Sequence, residues 1–178
     1  MHIERNINTM LTREQKMQGK FHYEDTSRRL MEEKGVVSLW IGNTDMEASL
    51  LDYIEEDYTE LEPDFTGFDE YENSSDFNFV INLFGLDFGF GFYDHDFLMC
   101  EFFEPTNSLR KIASLLDYLP SIQQRFVDLV GKTLDKEYNT VIFFIDYRYI
   151  PDETYIPPYD PNRKVEMKYI GAVNYDEK

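Results

Sequence analysis

Residues 91–104 read GFYDHDFLMCEFFE and place Asp94, His95, Asp96, Cys100, Glu101 and Glu104 within one short aromatic stretch. Carboxylate, imidazole and thiolate are all metal ligands, and two acids beside a histidine can move protons. A metal site needs these groups on one side of the chain. In an extended segment Asp94 and Asp96 share a face and His95 points away, so the three close on one ion only if Gly91 turns the chain. No H-x-x-x-H, C-x-x-C or EF-hand spacing accompanies them, and His2 and His22 lie far upstream.

Other chemistries have weaker signatures. Hydrolysis by paired carboxylates requires a defined separation, and with 35 acids in the chain some pair always suits. The GFGFYD run at 89–94 has Asp94 where a dinucleotide fingerprint has its third glycine, and no nearby Lys or Arg waits for a phosphate. Cys100 sits among Leu98, Met99 and Phe102 without a basic neighbour, a setting that raises a thiol pKa rather than activating it. No cofactor is expected. A metal-dependent hydrolase using Asp94, His95 and Asp96 is the enzymatic alternative.

Charge distribution is more informative than these motifs. The net charge is −18, and between Lys34 and Arg110 lie 75 residues with 18 Asp and Glu and no Lys or Arg. The remaining 17 acids balance all 17 bases, so residues 35–109 carry the whole excess. Such a field repels phosphate backbones and anionic membranes and speeds encounter with a basic partner. Direct nucleic-acid binding is therefore not expected. One cysteine excludes an intrachain disulfide, and no apolar run approaches the roughly 20 residues of a membrane span or the core of a signal peptide. The chain is expected to be cytoplasmic.

At 178 residues, 42% of them hydrophobic, the chain suits one folded domain. Residues 1–34 carry seven bases and six acids and read as an N-terminal extension, helical in part, ahead of a single acidic domain over 35–178. That domain opens on GVVSLWIGN, where Val37, Leu39 and Ile41 face one way and Val36, Ser38 and Trp40 the other, a strand apolar on both faces. Thr44 and Glu47 form a T-x-x-E capping box for a helix whose apolar side is Met46, Leu50, Tyr53, Ile54 and Tyr58, with Asp52, Glu55 and Glu56 off that side. Residues 59–76 read as an acidic loop, and a short helix over 77–84 ends at Gly85. A strand over about 97–103 follows.

Leu109, Ile112, Leu116 and Leu119 mark the next helix, and Ile122, Phe126, Leu129 and Val130 another, separated at Pro120 and closed by Gly131. TVIFFIDYRY at 140–149 is the most buried strand, and a four-proline loop leads to a last strand from Val165, paired with it as a hairpin. The fold class is α+β: a mixed or antiparallel sheet of about four strands packed against about four helices.

Acids and rings alternate across two parts of this domain. Phe65, Phe68, Tyr71, Tyr93, Phe97 and Phe103 interleave with Asp64, Asp69, Glu70, Glu72, Asp94, Asp96 and Glu104. Rings pointing in and acids pointing out accounts for about half of this pattern, but ordinary surfaces mix both signs of charge. A surface for a basic protein partner accounts for the rest, with aromatic anchors and charge-steered encounter. The partner-binding candidates are Asp57, Glu60, Glu62, Asp64, Asp69, Glu70, Glu72, Tyr93, Asp94, His95, Asp96, Glu101 and Glu104.

Four motifs in order, V-S-L-W-I-G at Val37–Gly42, F-G-L-D at Phe84–Asp87, Y-D-H-D-F at Tyr93–Phe97 and Y-N-T-V-I at Tyr138–Ile142, resemble a bacterial immunity-protein family of polymorphic toxin systems, immunity protein twenty-two. The resemblance spans about 35–175. It departs from the family pattern in residues 1–34 and in an insertion at 60–75. It implies an α+β fold and a protein that binds and blocks a cognate toxin inside the producing cell or its kin. With the acidic, aromatic-rich surface, the expectation is a non-enzymatic protein whose toxin is a basic, nuclease-type domain. An acidic DNA mimic that binds another basic protein is the second alternative.

Overall fold

The computed structural model describes residues 29–56, 82–91, 93–117, 119–157 and 160–175. In order these form β1 (Leu30–Thr44), α1 (Glu47–Ile54), α2 (Leu83–Phe88), a 3-10 turn (His95–Phe97), β2 (Leu98–Ser108), α3 (Leu109–Ala113), α4 (Ser121–Val130), β3 (Thr133–Tyr149) and β4 (Val165–Asn174). The strands make one antiparallel sheet in the order β2-β3-β1-β4. The α+β class holds, with four strands and four helices among the described residues.

The two strands that are apolar on both faces occupy the centre, where both faces are most fully covered. Val37, Leu39 and Ile41 of β1 and Val141 and Phe143 of β3 pack against Leu109, Ile112, Leu116, Ile122 and Phe126 from the α3–α4 layer. Trp40, Ile142 and Phe144 face the other way, into Leu50, Tyr53 and Ile54 of α1, Phe84 of α2, and Phe90 and Tyr93. Ser38 is fully buried on that alternation, and its hydroxyl donates to Tyr147 O while accepting from Tyr149 N–H.

Several expected details differ. The last strand pairs with β1, not β3, since β1 and β2 already fill both edges of β3. β1 begins at Leu30, which pairs with Tyr149. No T-x-x-E box forms: Met46 is the residue before α1 and makes no side-chain cap, while the Thr44 hydroxyl donates to Met46 O from the end of β1. The next helix starts at Leu83 rather than ending at Gly85, and residues 77–81 lie outside the described set. Asn82 caps it by accepting from Gly85 N–H. Its stop is Gly89, at φ 70°, and Gly85 is needed because a Cβ there would stand 2.7 Å from Phe90 O. In α4, Ile122, Phe126 and Val127 are buried, whereas Leu129 and Val130 are exposed at the helix end, with Leu129 lying over Gly171 of β4.

A buried polar triad fixes α1 against α2 and the proline-rich segment. The Tyr53 hydroxyl donates to Asp87 Oδ2 at 2.6 Å. Arg163 Nη2 stands 2.6 Å from Oδ1, which is buried and takes no well-directed hydrogen bond. Burial pushes the Asp87 carboxyl up from its ordinary 3.8 to about 6, against the pull of Tyr53 and Arg163. Between those values the native state holds a proton that the unfolded chain releases, so this group's contribution to stability falls as pH rises from about 4 to about 6. Asp87→Asn should therefore gain about 2–3 kcal/mol relative to the parent between pH 4 and pH 7, read by urea unfolding at each pH. A difference independent of pH would show that burial does not dominate the Asp87 environment.

Candidate functional site

The 94–104 segment divides into core and surface. Tyr93, a partner-contact candidate, is 2% exposed. Its ring meets Phe144 at 4.7 Å and Phe90 at 5.7 Å, and its hydroxyl accepts from Asn82 Nδ2 at 2.6 Å. It is a core residue and cannot offer its ring to a partner; the pull of a buried aromatic cluster and a buried hydrogen bond places it inward. Asp94 is exposed, and its carboxylate accepts from Asp96 N–H at 3.0 Å. That short bond starts the 3-10 turn, so the segment turns here rather than running extended.

The turn tips His95 back toward the body. Its imidazole stacks on Tyr93 with ring centroids 6.0 Å apart, and Nε2 lies 3.4 Å from Ile54 O at the end of α1. Asp96, Glu101 and Glu104 are exposed. Phe97, Leu98 and Cys100 pack on the α1–α2 side of the sheet, and Met99 and Phe103 on the α3–α4 side, so β2 is anchored on both faces. Among these residues the rings do point in and the acids out. Burial, then Glu101 and Glu47, push the Cys100 thiol upward, away from nucleophilic use. Among the described residues no three of His, Cys, Asp and Glu are grouped to hold a metal ion.

Asp57, Glu60, Glu62, Asp64, Asp69, Glu70 and Glu72 lie outside the described residues, as do Phe65, Phe68 and Tyr71. What the structure adds to the 94–104 acids is α1. An open depression of about 420 Å³ lies between its end and the 3-10 turn, lined by Leu51, Asp52, Ile54, Glu55, Glu56 and His95. Leu51 is 51% exposed at its edge. These α1 acids were legible as the helix side opposite Leu50, Tyr53 and Ile54, but only tertiary contact through His95 places them beside the 94–104 acids.

The bases that the described residues bring to this half of the molecule include Arg29, which donates to Gly89 O at the end of α2 and pairs with Asp152, and two from the segment before β4. Arg163 pairs with buried Asp87, and Lys164 helps lower the Asp45 carboxyl, after the larger effect of its hydrogen bond with Ser49. The last turn of α1 carries no basic residue. Together these features define an α+β domain, its sheet covered on both faces, with a concentration of exposed carboxylates around α1, the 3-10 turn and β2.

The chain belongs to the Immunity protein 22 family, whose model matches residues 37–176. Membership carries the general role of such proteins, neutralising a toxin. No curated protein and no solved structure matches the chain. None of the described helices is long and apolar enough to cross a membrane.

Proposed function

We propose that this protein neutralises a cognate toxin by covering a basic, nuclease-type domain with its acidic face, acting in the cytoplasm of the producing cell or its kin and performing no catalysis. The observation that carries this reading is the exposure of Asp94, Asp96, Glu101 and Glu104 beside the acids of α1, in a stretch of 75 residues without a Lys or Arg. A nuclease must hold phosphates, so its own active surface supplies the complementary charge. Covering it requires an interface of roughly 1,600 Å² in total. The 57–72 acids are proposed to extend the same face.

Toxin domains encoded beside the gene provide the test. Co-expression of this chain should restore growth to cells producing such a domain, and the purified pair should associate more slowly as salt rises. Between 0.05 and 0.5 M salt the on-rate should fall on the order of tenfold or more, because exposed charges are screened over about 10 Å or less. Growth not restored by any neighbouring toxin would reject the reading; restored growth with a salt-independent on-rate would reject the acidic face as its cause.

A further inference from the structure

The two edges of the sheet are protected differently. Exposed edge strands normally carry bulges, prolines or lysines that prevent pairing with another chain. β4 has such devices: its register with β1 skips Ile170, Gly171 sits at φ 151°, and Lys168 is exposed. At the other edge, Leu98–Phe102 of β2 runs in unbroken register against Phe144–Thr140 of β3. The first irregularity and Pro105 come only after Phe102, and no Lys, Arg, Pro or Gly occurs within 98–102. Phe102 is 38% exposed and Glu101 is exposed.

We propose that the outer edge of β2 over residues 98–102, which pairs with no other strand among the described residues, receives an extended basic segment of the toxin, which joins the sheet as an added strand. Main-chain groups of alternate β2 residues point away from β3, as antiparallel pairing requires, and offer the hydrogen bonds. Carboxylates flank the seam on both sheet faces. Glu101 shares the α3–α4 side with Met99 and Phe103, while Glu47 of α1 stands near Cys100 on the other. Lys or Arg at alternate positions of an incoming strand meets an acid on either side. A second copy of this chain would bring like charge instead, so the same acids that favour a basic strand disfavour self-pairing. The proposal rests on the reading that the partner is a basic toxin.

Amide hydrogen exchange resolved by NMR tests it on the full chain, using a short acetylated peptide that alternates lysine and valine. The peptide should slow exchange at alternate amides within 98–102 about tenfold. The same peptide with alternate backbone nitrogens methylated, and a glutamate–valine peptide, should not. Glu101→Lys, with unchanged far-ultraviolet circular dichroism, should abolish the effect. Outward-facing amides of 98–102 already protected in the free protein, no slowing there by the lysine–valine peptide, equal slowing by the methylated peptide, or slowing confined to β4 would each overturn strand addition. A chain that rescues cells from a toxin yet shows one of those results retains its neutralising role and loses only this mode of contact. A chain that rescues no cells loses the role itself.

Discussion

Replacing Asp94, Asp96, Glu101 and Glu104 together by lysine is expected to abolish protection from the cognate toxin. The four side chains are exposed, so their value lies in the field they present. Steering of this kind accelerates association by about 10- to 1,000-fold, and reversing four charges converts it into repulsion. The on-rate should fall by that factor while dissociation changes less, a division that stopped-flow mixing can read directly. Asp94 also accepts the Asp96 N–H that starts the 3-10 turn, and loss of such a cap costs about 1 kcal/mol. Glu101→Lys with Glu104→Lys leaves that turn intact and should show the same direction of effect. Full protection by the quadruple variant would show that the toxin binds elsewhere.

The largest stability loss is expected at Trp40. Its ring is fully buried, with centroids 5.0 Å from Tyr169, 5.2 Å from Phe84 and Tyr149, and 5.7 Å from Phe88. These neighbours join β3, β4 and α2, so they cannot collapse together into the space a small residue leaves. Trp40→Ala should cost about 3–5 kcal/mol, seen as a lower urea midpoint by circular dichroism, since the only tryptophan fluorophore is lost. Trp40→Phe should cost much less, because the indole N–H is buried without a hydrogen-bond partner among the described residues, and its removal strands no acceptor there. A loss below about 1 kcal/mol for Trp40→Ala would mean that this aromatic cluster is not a structural centre.

Both central strands are legible in the sequence because burial on two faces leaves a local trace. Val37, Leu39 and Ile41 alternate with Ser38 and Trp40, and 141–144 is apolar throughout; all of these residues are buried. Helix boundaries were less legible where two signals competed. Gly85 has the composition of a stop, yet its lack of a Cβ serves a close approach by Phe90, and Gly89 makes the stop. Thr44 and Glu47 have the spacing of a cap, yet Thr44 remains in β1, held there by pairing with Val165 across the sheet.

The same division runs through the candidate site. The absence of any Lys or Arg over 75 residues is a property of the chain alone, and with the four family motifs it defines an acidic immunity protein of α+β class. Which of those residues reach solvent is not local. Tyr93 is drawn into the core by Phe144 and Asn82 while its neighbour Asp94 stays out, and His95 is turned against α1, bringing Asp52 and Glu55 toward the 94–104 acids. Strand order likewise depends on partners distant in sequence, since β4 joins β1 across more than a hundred residues and thereby leaves β2 at the edge. Composition and periodicity act through near neighbours and are written in the chain; exposure and adjacency depend on long-range packing and are decided only when the sheet closes on its two helical layers.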